Sequence, residues 1–425
     1  MANPGDRVRI FYDKKEIEGI LMPSESENSV FVKLDSGYNI GIEKGKVKEI
    51  KVVEAKKEKK EAKMELKEKK GLKKIVVLHT GGTIASKVDY GTGGVIAKFS
   101  AEDLIGMFPE LADIANIETE LVANMMSEDM HFSHHQKIAH AIKKHAEKGV
   151  DGIIIGHGTD TLTFTSASLA FMFEKIDIPV LLVGSQRSSD RGSSDAGMNL
   201  ICAAKFIVNS DFKGIAICMH HHSADDVCAI LPPTKTRKMH TSRRDAFKAI
   251  NDDPIALVDY KTGKAQFLKE HEKKAKGIVL KEKMSADVGL LKTHPGIKTE
   301  LFRFYADHYK AFVIEGTGLG HAPTNLGEDN LKNHAILKEF ISRGGIVAIT
   351  SQCIYGRVHP TVYTNLRRLS NIGCIFCEDM LPETAFIKLA WLLGNYPPEE
   401  AKKLMTENLR GEITERTEYE EDFIK

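Results

Sequence analysis

"KKIVVLHTGGTIASK", residues 73–87, runs as an apolar strand and then empties into glycines and hydroxyls. Leu78 closes a run of four large aliphatics, and Thr80, Gly81, Gly82 and Thr83 follow within five residues. A turn of this kind serves as a hinge, a phosphate cradle or the seat of a nucleophile. The phosphate reading fails, because neither G-x-x-x-x-G-K-[ST] nor G-x-G-x-x-G is present. A second stretch, "GIIIGHGTDT" at residues 152–161, has the same form. It is a buried-type strand that ends in Gly156, His157, Gly158, Thr159 and Asp160.

Between and after these two stretches the pattern alternates strand, loop and helix. "SAEDLIGMF" and "HHQKIAHAIKKHAEKG" read as helices, as do "TLTFTSASLAFMFEKI" and "GSSDAGMNLICAAKFIV". "PVLLVG" and "GIAICM" read as strands. Such alternation predicts an α/β fold, a doubly wound parallel sheet with helices on both faces. Both glycine turns then lie at carboxyl ends of strands, where open α/β sheets bind ligands. The polar stretch 251–285 is expected to link two lobes, and the alternation restarts at "DVGLLKT". The expected organisation is residues 1–53, a small closed SH3-like β-barrel of five short strands; 54–72, a charged linker; 73–285, the α/β domain with the site; and 286–425, a smaller α/β domain and tail.

The 425 residues carry 42% hydrophobic and 28% charged side chains, an ordinary globular balance. Sixty Lys plus Arg against fifty-nine Asp plus Glu leaves a net charge of +1, too little for a chain that holds nucleic acid by its own field. Residues 1–53 hold nine acids and nine bases, and 54–72 hold eight Lys and five Glu with almost nothing to bury. No apolar run reaches membrane-spanning length, and the N-terminus has no secretory h-region, so a cytoplasmic protein with no membrane contact is expected. The six cysteines form one CxxC, Cys374 and Cys377, which reads as packing rather than redox chemistry or zinc. The run His220, His221, His222 reads as a strand-end loop, since three consecutive side chains do not converge on one ion; no metal is expected. His131, His134 and His135 decorate a helix start, and His157 is read as structural.

Threonine needs a base or cation to become a nucleophile. Asp160 adjoins Thr159, and "PPTKTRK", residues 232–238, offers Lys235 as an amine whose burial depresses its proton affinity. Glycines beside the threonines let a planar substrate and backbone N–H donors approach closely.

"TGGTIAS" and "HGTDT", followed by a T-K-T segment, resemble the L-asparaginase/glutaminase family over roughly residues 73–400. The resemblance implies hydrolysis of a side-chain amide through an acyl-enzyme, with no cofactor in this chain. It makes Thr83 the nucleophile, Thr159 the second catalytic threonine, and Asp160 with Lys235 the relay. "MSEDM" resembles the family's substrate loop, so Ser127 is to hold the substrate carboxylate, Glu128 and Asp160 its α-amino group, and Gly82 and Gly158 to flank it. Tyr90 is the candidate for the mobile-loop tyrosine, although the family's tyrosine usually lies further on. Leu319 in "EGTGLGH" replaces an asparagine common in the family.

Free asparaginases lack the barrel and the charged spacer. That barrel, and the tail "ENLRGEITERT" at 407–417, resemble the D-subunit group of archaeal-type glutamyl-tRNA(Gln) amidotransferases. In that group ammonia from glutamine or asparagine converts Glu-tRNA(Gln) to Gln-tRNA(Gln). The resemblance implies an E subunit that acts as kinase and tRNA-binding partner, uses ATP and Mg²⁺, and joins a homodimer core in a heterotetramer. The alternatives are a free-standing cytoplasmic L-asparaginase/glutaminase and a non-enzymatic scaffold or RNA-docking protein.

Overall fold

The computed structural model describes residues 2–24, 28–35, 38–55, 68–81, 87–88, 95–96, 100–187, 193–417 and 419. The first five strands, Arg7–Tyr12, Lys15–Met22, Ser29–Lys33, Asn39–Glu43 and Val47–Glu54, form one antiparallel sheet. In spatial order they run fourth, third, second, first, fifth. Val8 and Ile10 alternate with Arg7 and Arg9, so the apolar pair faces a small core with Leu21, Val32 and Ile42. Arg9 on the other face pairs with Glu18 at 2.8 Å. The barrel expected here is open: its outer strands are joined through the turn Lys44–Lys46 rather than by ladder bonds.

Among the described residues the first lobe is built on an eight-stranded sheet. Lys74–His79 lies between Asn116–Leu121 and Gly152–Gly156, followed outward by Pro179–Val183 and Gly214–His220, all parallel. Ile75 to Leu78 and Ile153 to Ile155 are buried on both faces, which is why these strands read as unbroken aliphatic runs. Helices Phe132–Ala146 and Leu162–Met172 cover one face and Ala196–Asn209 the other. The sheet is mixed rather than wholly parallel. Val227–Leu231, Ala256–Asp259 and Ala265–Phe267 extend it antiparallel. The last two come from the stretch expected to be a linker. Ala256 and Val258 face the core while Leu257 and Asp259 are only partly covered, a half-buried alternation that its polar neighbours obscure.

Chain order reverses between Lys74–His79 and Gly152–Gly156, because the connection from the first strand goes to one side and the rest of the sheet grows on the other. The crevice beyond their carboxyl ends is the topological switch point.

The second lobe has four parallel strands, Val288–Lys292, Ala311–Gly316, Ile346–Ser351 and Ile375–Phe376. Its helix Pro382–Asn395 crosses back onto the first lobe. Trp391 stacks on Phe171 with centroids 5.7 Å apart, and its indole N–H donates to the Lys281 carbonyl at 2.8 Å. One hydrophobic core therefore runs from Val76 and Ile155 through Trp391 to Val313. Trp391→Ala is expected to cost about 3–5 kcal/mol of stability. Denaturant unfolding followed by circular dichroism checks this, and a loss under about 1 kcal/mol contradicts a shared core.

Candidate active site

Two turns meet at the switch point. Thr80 donates its N–H and its hydroxyl to the Gly156 carbonyl, at 3.1 and 3.0 Å, so the first turn is tied to the end of the second strand. Gly81 holds φ +99, and a Cβ there would sit 2.3 Å from the Met125 carbonyl oxygen. The close crossing of the segment that leads to Ser127 thus requires glycine. On the other turn, a Cβ on Gly158 would lie 2.8 Å from Ser127 Oγ. Ser127 is buried there, and Thr161 Oγ1 donates to its carbonyl at 2.6 Å. Glu128 follows, exposed, in the one-turn helix Ser127–Asp129. The Thr80–Gly81 turn, the Gly158–Thr161 turn and the Ser127 loop therefore converge, as the sequence reading requires.

The lysine differs from the expected one. Lys235 is fully buried and its ammonium pairs with Asp379 of the second lobe, away from the threonine turn. Lys238 takes the place. Its Nζ donates to Thr159 Oγ1 at 2.9 Å and to Asp160 Oδ1 at 2.8 Å. Lys238 ends the strand Thr236–Lys238, which pairs with Phe247–Ala249, and that hairpin aims the amine at the crevice. Both lysines stand in the segment "PPTKTRK"; the T-K-T match pointed to the first and the geometry selects the second. Gln186 is a further neighbour that sequence reasoning missed, its Oε1 3.5 Å from Thr159 Oγ1.

Thr159 is held on its other side. Its methyl group lies where a Cβ on Gly184 would come within 2.8 Å. Buried Asp195 fixes that loop, accepting from Ser185 Oγ, Gln186 N and Arg187 N at 3.0 Å each. Beneath the turn, His157 Nδ1 lies 2.7 Å from the Gly158 carbonyl, which only accepts, so Nδ1 carries the proton. Nε2 then accepts from Thr165 Oγ1 at 2.8 Å, and Thr165 accepts from His135 Nε2 at 3.2 Å. This chain fixes the peptide that precedes Thr159, which gives His157 the structural part expected of it. Burial holds His157 down at about 4 and His135 at about 3.

Gly82, Thr83 and Tyr90 lie outside the described residues. Among the other sequence candidates, buried His220 faces Asn199 Oδ1 at 2.6 Å and Asp225 at 3.1 Å, while His222 faces Asp226. Cys374 and Cys377 are free and buried, and burial pushes both thiols up to about 12. Leu319 packs against the second-lobe core. A cavity of about 850 Å³, lined among others by Phe173, Lys213, Gly214 and Arg410, opens at the amino end of Gly214–His220, the opposite end of the sheet from this site.

Residues 74–273 match the family model for the asparaginase N-terminal domain, and residues 287–405 that for the glutaminase/asparaginase C-terminal domain. Residues 2–53 match the GatD N-terminal domain. The glutamyl-tRNA(Gln) amidotransferase D subunit of Pyrococcus furiosus is 48% identical, over 97% of this chain and 95% of its own length. The D subunit of Thermococcus kodakarensis is 45% identical, over 98% and 96%. The chain belongs to the family of glutamyl-tRNA(Gln) amidotransferase D subunits. Solved L-asparaginases are similar over less of it. That of Thermococcus kodakarensis has 33% identity and a TM-score of 0.71, covering 80% of this chain and 99% of its own. L-asparaginase I of Vibrio cholerae has 29% identity and a TM-score of 0.70, covering 81% and 99%. The D-subunit relatives thus share the N-terminal domain, which lies beyond the asparaginase match, and the free-asparaginase reading has less support.

Buried neutral imidazoles give the fold a pH dependence. His79, His135 and His157 sit near 4, 3 and 4 because burial disfavours their charged forms, against an ordinary 6.5. Each takes up a proton on unfolding once the pH falls below 6.5, so stability is full above that value. It is lost as the pH drops toward the folded values, by about 1.4 kcal/mol per pH unit per histidine. Thermal midpoints measured from pH 8 to 5 should be flat above about 7 and fall steadily below 6.5. A flat profile down to pH 5 contradicts neutral burial of the three rings.

Proposed function

We propose that this chain is the ammonia-releasing amidase subunit of a tRNA-dependent amidotransferase, acting on glutamine or asparagine. The observation that carries the reading is the bridge from Lys238 to both Thr159 and Asp160 at the switch point, in a chain aligned nearly end to end with its D-subunit relatives.

In this reading Thr83, two residues past Gly81, supplies the nucleophile. Its hydroxyl oxygen attacks the carboxamide carbon and its proton passes to the departing nitrogen. The C–N bond breaks, ammonia leaves, and an ester remains on Thr83. Water then attacks the ester. Thr159 Oγ1 lies 2.9 Å from the Lys238 amine, and its hydroxyl faces Gln186 Oε1 at 3.5 Å; when Lys238 gives a proton to Asp160, the amine can take the hydroxyl hydrogen of Thr159. A proton taken from the water passes along Thr159, Lys238 and Asp160, the ester C–O bond breaks, and Thr83 recovers its hydrogen. Backbone N–H groups of the glycine turns stabilise the oxyanion. Ser127 receives the substrate carboxylate, and Glu128 with Asp160 the α-amino group.

The ammonia is consumed by a partner, the amidotransferase E subunit, which binds Glu-tRNA(Gln) and activates its glutamate with ATP and Mg²⁺. A homodimer of this chain with two such partners makes a heterotetramer. The net charge of +1 supports this division, with the tRNA resting mainly on the partner.

Ammonia release from glutamine should be slow for the isolated chain and rise at least tenfold when partner, Glu-tRNA(Gln), ATP and Mg²⁺ are added together. A Thr83→Ala variant should release none in either condition. Full-rate hydrolysis that ignores the partner would return the chain to the free amidases.

A further inference from the structure

Residues 405–417, beyond the helix Pro398–Leu404, have no regular structure, yet their side chains and backbone are tied to both lobes. Glu412 is fully buried, pairs with the equally buried Lys388 at 2.6 Å, and accepts the backbone N–H groups of Leu409 and Arg410 at 3.0 and 2.6 Å. That fixes a tight loop on the second-lobe helix Pro382–Asn395. From it the tail reaches into the first lobe. Arg410 donates through Nε to the Ala170 carbonyl at 2.9 Å, and its own carbonyl accepts from Thr234 Oγ1 at 3.0 Å. Two residues past Glu412, Thr414 grips Asp379. Its N–H donates to Oδ1 at 3.0 Å and its hydroxyl to Oδ2 at 2.5 Å. Arg357 closes the far end, donating to the carbonyls of Thr414 at 2.8 Å and Glu415 at 3.3 Å and to Thr417 Oγ1 at 3.2 Å.

Oδ2 of Asp379 is the same oxygen that pairs with Lys235. Lys235 immediately precedes Thr236–Lys238, and its carbonyl accepts the Ile250 N–H from the return strand at 2.8 Å. The other side of the hairpin base is also tied across the lobes, since Asn251 exchanges two hydrogen bonds with Gly356, at 3.2 and 2.9 Å. Three residues of extended chain, about 10 Å, separate this base from Lys238. A small tilt at the base is therefore a displacement of the Lys238 amine at the threonine turn.

We propose that residues 409–417 are an interdomain strap that sets the orientation of the lysine-bearing hairpin, with Lys235, Asp379 and Thr414 as positioning residues for Lys238. The inference rests on the amidase reading above. A buried ion pair is a poor source of net stability but a strict one of geometry, and leaving one member unpaired is costly. That suits an anion shared by two elements whose relative position matters. Misplacement of a catalytic group by about 1 Å costs up to about a hundredfold in rate.

The test uses the full chain assembled with its partner, and glutamine as substrate. Thr414→Val removes one hydroxyl from the shared carboxylate and keeps the ion pair. Its kcat for ammonia release should fall about tenfold, with KM within about twofold of wild type and the complex still folded at the assay temperature, even though the lost hydrogen bond lowers the unfolding midpoint. Thr414→Ser should restore the rate. Arg357→Ala, which frees the strap at its other end, should lower kcat in the same way. Combined with Thr414→Val it should fall short of the product of the single effects, since both act through one device. Wild-type kcat in Thr414→Val, a change confined to KM, or failure of serine to rescue would overturn the strap. If the wild-type complex itself releases no ammonia, the amidase reading fails instead.

Discussion

A single ammonium, that of Lys238, touches Thr159 Oγ1 and Asp160 Oδ1 at once, and the remainder of the molecule is arranged so that this contact is made at the mouth of a switch point. The parallel sheet brings two strand ends side by side, and Thr80 bonded to Gly156 locks them together. Gly81, Gly158 and Gly184 each stand where a side chain would collide with a neighbouring turn, so the turns approach closely enough to share one small substrate. The lysine comes from a separate two-stranded hairpin, Thr236–Lys238 with Phe247–Ala249, and that hairpin is footed on the second lobe. Chemistry at one point thus depends on packing over the whole interlobe seam.

Much of the fold was legible because buried parallel strands must be continuous aliphatic runs. Ile75 to Leu78 and Ile153 to Ile155 announce themselves, and the glycines and hydroxyls after them locate the crevice. The antiparallel strands Ala256–Asp259 and Ala265–Phe267 were not legible. They are short, only partly covered, and set among lysines and turns that look like a linker. The open form of the N-terminal sheet was equally hidden, since pairing between its outer strands leaves no trace in the alternation of either.

The candidate site shows where local reading stops. Thr159 and Asp160 stood out because they follow a glycine turn at a strand end, whereas Ser127 came only from the likeness of its segment to the family's substrate loop. The lysine was misplaced by three positions. Both Lys235 and Lys238 sit in one short segment, and a chain that is extended there sends them to different surroundings: one into the seam against Asp379, the other to Thr159. Telling them apart requires the second lobe and the tail, which are 144 residues and more away in sequence. Gln186 carried no signal at all, because its loop is shaped by Asp195 rather than by a motif.

The most direct test is the rate of ammonia release by a Lys238→Met variant, measured with glutamine in the partner-bound complex. The account predicts a kcat lower by at least about a hundredfold, the scale of losing a proton-transfer group, with KM little changed and the fold intact. A Lys238→Met protein that turns over at the wild-type rate contradicts it.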